Sequence, residues 1–435
     1  MVGPVEDYLE RPALTHLQWD RLGLLLAEIL PTNRFYARKF AEAGVNRSDL
    51  ITPADLARLP FTTKSELLAD QASSPPYGQV LTYPLTRYCR LHQTSGTHAR
   101  PLYWLDTPES WNWILDCWEK IFRIVGLRAG DRLFFPFSFG PFLGFWAAFD
   151  AAARQGYLCL PGGGMSSVAR LHFLLDHQVT VLFCTPTYAL RLAEVARQHG
   201  LELPQSAVRL VLVAGEPGGS IPATRRQIET AWGARVFDHS GMTEIGSLGI
   251  ECPENPGGLH LLEMECLAEV IEPATGKPLP PGQTGELVLT NLGRWGSPLL
   301  RYRTGDLVRI DPRPCRCGRN WVRLEGGILG RTDDMIYLRG NNLYPSALEA
   351  VIRRFVDVAE YRVQVDQAES LPVLRIEVEP LPSAASGGRQ PPDGLAERIS
   401  RAIRDELLFR AEVTTVATGT LPRFEMKARR IVLKD

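Results

Sequence analysis

The sequence predicts an α/β chain. A large N-terminal domain with mainly parallel sheets and a strand-rich subdomain is followed by a small C-terminal α+β domain. Three observations carry this. Short apolar runs at residues 133–137, 179–184, 208–213 and 235–237 alternate with helical stretches at 188–199 and 222–232, the rhythm of parallel strands covered by helices. From about residue 259 to 310 that rhythm gives way to apolar/polar alternation broken by Gly and Pro, as in antiparallel strands. Finally, Gly330-Arg331-Thr332-Asp333-Asp334 is a charged, turn-prone junction, so the division expected is 1–331 and 332–435.

Each element has a local cause. Residues 17–45 read as helices interrupted at Pro31, which supplies no amide hydrogen. Thr62-Thr63-Lys64-Ser65-Glu66 reads as a capped helix start. Several strands empty into polar loops: Thr185-Pro186-Thr187, Ala214-Gly215-Glu216-Pro217 and Asp238-His239-Ser240-Gly241. In open α/β sheets ligands bind beyond the carboxyl ends of strands, so these loops are expected to share one crevice. Strands are also expected at 286–290 and 307–310. Beyond the junction, Ser346-Ala347-Leu348-Glu349 matches a capping box, with Leu348, Ile352 and Phe355 on one helical face. Leu374, Ile376 and Val378 alternate as a strand. Leu395, Ile399, Ile403 and Leu407 recur at helical spacing, and residues 380–394 form a Pro/Gly/Ser-rich loop.

At 435 residues the chain can bury a full core in more than one domain. Its apolar and charged fractions, 45% and 22%, are ordinary for a globular protein, and the net charge of −1 implies no general attraction to nucleic acid or anionic lipid. No apolar run is long enough to span a bilayer, and Met1-Val2-Gly3-Pro4-Val5-Glu6-Asp7 lacks a signal-peptide pattern, so a cytoplasmic address is expected. Cys89, Cys117, Cys159 and Cys184 read as isolated reduced core thiols. Cys315-Arg316-Cys317 differs: two cysteines on a tight turn, with Cys252 and His260 from the preceding region, read as a tetrahedral structural Zn²⁺ site, with Cys266 an alternative ligand and free thiols the alternative reading. Lysine is scarce, so a lysine inside a motif, such as Lys427, draws notice.

Thr94-Ser95-Gly96-Thr97-His98-Ala99-Arg100-Pro101 gathers three hydroxyls around a glycine, a turn able to hold phosphate oxygens, although the Gly-Lys-Ser/Thr ending of a Walker loop is missing. Together with Gly215-Glu216-Pro217, Asp238-His239-Ser240-Gly241-Met242-Thr243-Glu244, Tyr302-Arg303-Thr304-Gly305-Asp306, the 330–340 junction and Leu421-Pro422-Arg423-Phe424-Glu425-Met426-Lys427, it resembles the adenylate-forming superfamily of acyl-CoA synthetases, most closely the phenylacetate–CoA ligase (aryl-CoA ligase) branch.

The resemblance implies roles. Thr94, Ser95, Gly96 and Thr97 would wrap the β- and γ-phosphates of ATP. Gly215, Glu216, Pro217, Asp238, His239, Ser240 and Gly241 would wall the adenine slot. Thr243 would touch the α-phosphate and Glu244 would hold Mg²⁺, a cation that favours carboxylate oxygen. Asp306 would accept the ribose hydroxyls, Arg331 would bond ribose or α-phosphate, and Lys427 would neutralise charge during adenylation. Asp333, or alternatively Asp334, would be the hinge of a mobile C-terminal lid. Two departures stand out: His98-Ala99-Arg100 replaces the family's usual Thr-Gly-Lys, and Ser240 stands where a tyrosine often stacks on adenine, a role His239 could share. The aromatic run Phe134-Phe135-Pro136-Phe137-Ser138-Phe139-Gly140-Pro141-Phe142 reads either as the lining of an aryl-acid slot or as a buried strand with a bend.

The expected activity is an ATP-dependent ligase. An aromatic carboxylic acid is converted to acyl-AMP and then to the coenzyme A thioester. A carrier-protein thiol or an amine is the alternative acceptor, and a non-catalytic nucleotide-binding relative is the alternative of a different class. The expected partners are a small carboxylic acid, ATP and coenzyme A, with no nucleic acid or membrane. The chain is expected to be a monomer or homodimer.

Overall fold

The computed structural model describes residues 4–94, 100–338, 341–366, 373–381, 394–425 and 427–434. An eight-stranded sheet forms the centre. Its order in space is Arg323–Glu325, Gly258–Leu261, Gly246–Glu251, Arg235–Met242, Leu210–Ala214, Val181–Cys184, Arg132–Phe135 and Leu158–Pro161. The five strands from Arg235–Met242 to Leu158–Pro161 are parallel, and the other three continue the sheet antiparallel. Val181–Cys184 is buried throughout and Leu210–Ala214 nearly so, as strands covered on both faces must be.

The helices follow their sequence signals. Arg11–Ile29 and Arg34–Ala43 flank the break at Pro31, and Asn33 caps the second by accepting from Tyr36 N. Lys64–Ser73 opens on Thr63 and Glu66, which form the expected capping box. Pro186–Gln198 and Pro222–Trp232 each begin with proline at the first turn, where a missing N–H costs nothing.

A second, four-stranded antiparallel sheet joins Cys266–Ile271, Thr284–Asn291, Tyr302–Arg309 and Gly330–Arg331, matching the strand-rich region expected from residue 259 onward. The small C-terminal sheet domain has its own sheet, ordered Ala411–Thr415, Val373–Pro380, Val358–Asp366 and Ile431–Lys434. Leu374, Ile376 and Val378 point from its central strand onto Leu395, Ile399 and Ile403 of the helix Leu395–Leu407, forming an apolar core separate from those of the body. Most of the loop expected at 380–394 lies outside the described residues.

Three local expectations fail. The capping box at Ser346 does not form: Pro345 starts the helix Pro345–Ile352, so Ser346 lies inside it and donates to Leu329 O, while buried Glu349 pairs with Arg353 at 3.0 Å. Asp238-His239-Ser240-Gly241 is not a loop but part of a strand reaching Met242, because Gly246–Glu251 pairs with it in an antiparallel hairpin. Cys89 is exposed rather than in the core. Among the described residues no helix is long and apolar enough to cross a membrane.

Candidate active site

The carboxyl ends of the central strands carry the crevice. Leu210–Ala214 ends at Gly215, whose φ of +95° lets the chain turn sharply. Glu216 follows, its carboxylate accepting from Thr187 N at 2.9 Å and from Ala428 N at 2.8 Å. Pro217 is exposed at the rim. On the next strand, Asp238 accepts from Ser220 Oγ; burial, with Glu251 nearby, pushes its carboxyl up to about 7 against that bond. Gly219 is obligatory here, since a β-carbon on it would stand 2.5 Å from Asp238 Oδ1.

His239 Nδ1 donates to Gly249 O at 2.6 Å and its ring lies 4.5 Å from that of Trp118. Burial pushes its pKa down to about 4, so the imidazole is neutral. Ser240 sits where backbone runs close: a β-carbon on Gly249 would be 3.0 Å from Ser240 Cβ. At Gly241 a β-carbon would meet Gly246 O at 2.8 Å.

Thr243 and Glu244 are fixed from behind. Arg294 donates through Nη1 to Thr243 O at 2.6 Å and Glu244 O at 3.0 Å, and pairs bidentately with Asp106 at 2.7 Å on both arms. Both partners are fully buried, so the pair is worth keeping intact rather than worth much as a net attraction. The Glu244 carboxylate meets Lys64 Nζ at 3.3 Å and accepts from Tyr302 OH at 3.4 Å.

Across the cleft, Asp306 follows Gly305, which has φ +76°. Its carboxylate accepts from Arg331 Nη1 at 2.7 Å, and burial pushes its pKa up to about 6 despite that cation. The other edge of Arg331 clasps Asp333 at 2.8 and 3.0 Å. Asp334 Oδ2 lies 4.0 Å from Arg331 Nε.

Lys427 enters this cleft from the C-terminal domain. A β-carbon on Gly215 would lie 3.3 Å from its Cε. Lys427 is an exposed residue, yet loss of hydration around its ammonium lowers its pKa; Glu216, Asp306 and Glu244 oppose that and Arg331 adds to it. Four charged groups assigned from separate motifs thus face one cation.

Residues 93–293 match the family model described as AMP-binding enzyme, and residues 340–434 match the AMP-binding enzyme C-terminal domain. The chain is 34% identical to a phenylacetate-coenzyme A ligase of Thermus thermophilus, covering 99% of both chains, and 31% identical to one of Pseudomonas putida, covering 96% and 93%. The chain belongs to the AMP-binding enzyme family. Among solved structures, 2-hydroxyisobutyryl-CoA ligase in the postadenylation state with 2-HIB-AMP superposes at a TM-score of 0.93, with 29% identity over 98% of this chain and 91% of that one. In its thioesterification state the same ligase scores 0.74 at 30% identity, with the same coverage. This AMP-binding enzyme, its C-terminal domain included, thus superposes more closely on the former arrangement than on the latter.

That placement is held by side chains the sequence did not single out. Arg423 bridges Glu194 of the body, at 3.1 Å, and Glu379 of its own domain. Glu425 accepts from Ser167 Oγ at 3.0 Å and Arg170 Nη1 at 3.3 Å. Arg430 reaches Thr187 Oγ1 at 3.2 Å. Lys64, which meets Glu244, was read from the sequence only as part of a capped helix start. Arg294 and Asp106, 188 positions apart, carried none.

Thr94 is buried, its hydroxyl accepting from Leu102 N at 3.1 Å; Ser95, Gly96 and Thr97 lie outside the described residues. The aromatic run follows the second of its two readings, a buried strand that ends in a bend. Phe134 and Phe135 end a buried strand, while Phe139, with φ 47°, bends the chain against Trp146 and Phe149 at 4.8 and 5.2 Å. With Gly140, Pro141 and His92, Phe139 lines a groove of about 440 Å³.

The Cys/His set converges. One ligand atom from each of Cys252, His260, Cys315 and Cys317 lies within 4.8 Å of every other. Cys252 and Cys315 sulfurs are 3.5 Å apart, and Cys317 Sγ is 3.4 Å from His260 Nε2. Tetrahedral Zn–S bonds of about 2.3 Å imply sulfur–sulfur separations of about 3.8 Å, so the cage fits zinc. Cys266 stands apart, 3.6 Å from Leu262 O.

Proposed function

We propose that this AMP-binding enzyme is an ATP-dependent carboxylate–CoA ligase that activates an aromatic acid as acyl-AMP and passes it to coenzyme A, a carrier-protein thiol being the alternative acceptor. The observation that carries the reading is Lys427, brought from the C-terminal domain to where Glu216, Glu244, Asp306 and Arg331 all act on its charge. Full-length similarity to phenylacetate-coenzyme A ligases supports the acid class, as does the aromatic cluster around Phe137 and Phe139.

In this reading Thr94, Ser95, Gly96 and Thr97 hold the outer phosphates. Asp306 and Arg331 orient the ribose, and the walls from Gly215, Pro217, Asp238, His239, Ser240 and Gly241 receive adenine. Thr243 contacts the α-phosphate. Lys427 stabilises the charge that develops as the carboxylate attacks and pyrophosphate departs. Glu244, with substrate phosphates, is suited to hold Mg²⁺, which when bound would neutralise phosphate charge; a single carboxylate is the usual protein share of such a site. Lys64 meets the same oxygen of Glu244 and supplies positive charge there. Cys252, His260, Cys315 and Cys317 hold structural zinc with all four positions filled, a role in folding rather than chemistry. We also place the domain boundary at 331/332, with Asp333 the pivot by which a mobile lid serves both half-reactions. The chain acts in the cytoplasm, where ATP and coenzyme A are found. Pyrophosphate release across a panel of carboxylic acids, with coenzyme A added or withheld, tests this. Acid-dependent release with thioester formed only when coenzyme A is present is the expected result.

A further inference from the structure

Glu216 makes contacts that a wall of the adenine slot does not require. One carboxylate oxygen accepts the N–H of Thr187 at 2.9 Å, in the first turn of the helix Pro186–Gln198. The other accepts the N–H of Ala428 at 2.8 Å. The first bond ties the carboxylate to a helix start in the body, where backbone N–H groups and the helix dipole favour negative charge. The second bond grips the C-terminal domain at the residue next to Lys427. We infer that Glu216 is the positioning residue that docks the Lys427 segment for the adenylation half-reaction, one carboxylate spanning the body and the lid.

The inference rests on the ligase reading for its chemistry, but its geometry stands apart from it. A lysine side chain is long and rich in rotamers, so placing its ammonium depends on where its backbone is held. A backbone N–H one residue away fixes that origin, and the flanking pairs, Arg423 with Glu194 and Glu425 with Arg170, set the orientation of the segment. Glu216 acts on the ammonium electrostatically as well. Of the charges facing Lys427, it opposes the loss of hydration most, followed in mixed sign by Arg331, Asp306 and Glu244. When the lid turns for thioester formation, the bond to Ala428 must break while the bond to Thr187 can persist. Glu216 therefore acts in one half-reaction, whereas a residue of the nucleotide wall would act through ATP affinity.

The test compares wild type, Glu216→Gln and Glu216→Ala. Expected for Glu216→Ala is a loss of about tenfold to a hundredfold in the turnover of pyrophosphate release, in line with misplacing a catalytic group by about 1 Å. ATP KM and thioester formation from supplied acyl-adenylate should stay within about twofold of wild type, since the contact belongs to neither step. Glu216→Gln keeps an oxygen acceptor and should recover part of the rate, with the alkaline limb of the adenylation pH profile moved to lower pH because Lys427 has lost the anion that acts on it most. Amide hydrogen exchange at Ala428 should speed up in both variants without any substrate present. A rise in ATP KM at unchanged turnover would assign Glu216 to the nucleotide wall and overturn the inference. So would unchanged exchange at Ala428, or equal loss of both half-reactions together with thermal stability. If wild type releases no pyrophosphate with any acid, the ligase reading falls, and exchange at Ala428 alone decides whether Glu216 docks the lid.

Discussion

The Cys/His cage and the seam between the body and the C-terminal domain both join distant parts of the chain, and they are built in opposite ways. The cage brings ligand atoms of Cys252, His260, Cys315 and Cys317, all buried or half-buried, within 4.8 Å of one another. A metal there is one strong crosslink that has no reason to open. The seam is divided among many weaker contacts: Arg423 with Glu194, Glu425 with Ser167 and Arg170, Ala428 with Glu216, and Arg430 with Thr187. The Glu425 side chain is 53% exposed, so its pair with Arg170 is of the kind worth at most about 1 kcal/mol. A permanent joint concentrates free energy, whereas a reversible one spreads it so that no single step of opening is prohibitive.

Breaking the permanent joint should have the largest effect. Chelating the metal, or replacing Cys317 by Ser, is expected to lower Tm by roughly 10 °C or more, because zinc binds the folded cage and not the unfolded chain, and such sites contribute several kcal/mol. Calorimetry with elemental analysis checks this: metal-free wild-type protein as stable as the untreated protein would rule the cage out as a structural element.

At the seam, Lys427→Ala removes the group that, in the proposed reaction, the seam places. Adenylation is expected to fall about a hundredfold or more, equivalent to roughly 3–4 kcal/mol of transition-state stabilisation. ATP binding and thioester formation from supplied acyl-AMP should persist. Pyrophosphate release within a few-fold of wild type would remove Lys427 from the mechanism.

Asp333→Pro should stiffen the proposed pivot without touching the seam. Proline fixes φ and restricts the residue before it, so the lid should remain in the pose that the seam stabilises. Acyl-AMP would still form, while transfer to coenzyme A slows by well over tenfold, a barrier increase above about 1.4 kcal/mol. Single-turnover kinetics separate the two steps; equal slowing of both would mean simple destabilisation.

The smallest effect expected is one of pH. Burial raises Asp306 to about 6, so its carboxylate is progressively protonated below that pH and loses its charge toward Arg331 and, in the proposed reading, toward ribose. ATP KM should therefore rise as pH falls, by about fourfold at pH 5.5, the factor by which ionisation drops half a unit below such a pKa. A KM flat from pH 8 to 5.5 would show that Asp306 stays ionised or takes no part in binding.

Much of this was present in local pattern. Thr63 and Glu66 announce the start of their helix because a capping box needs only residues three apart. The apolar runs around Val181–Cys184 and Leu210–Ala214 announce buried parallel strands because burial on both faces demands continuous hydrophobicity. The Cys/His spacing announced a cage because few other chemistries need those four residues. Local pattern misled at Ser346, where a capping-box motif lost to Pro345 and to an ion pair between Glu349 and Arg353.

Only the tertiary structure decided that Arg294 braces the backbone of Thr243 and Glu244 through Asp106, that Lys64 meets Glu244, and that Glu216 grips Ala428. The physical reason is the same in each case. Hydrogen bonds and ion pairs are fixed by distance in space, and contacts separated by 188, 180 or 212 positions leave no period or spacing in a sequence.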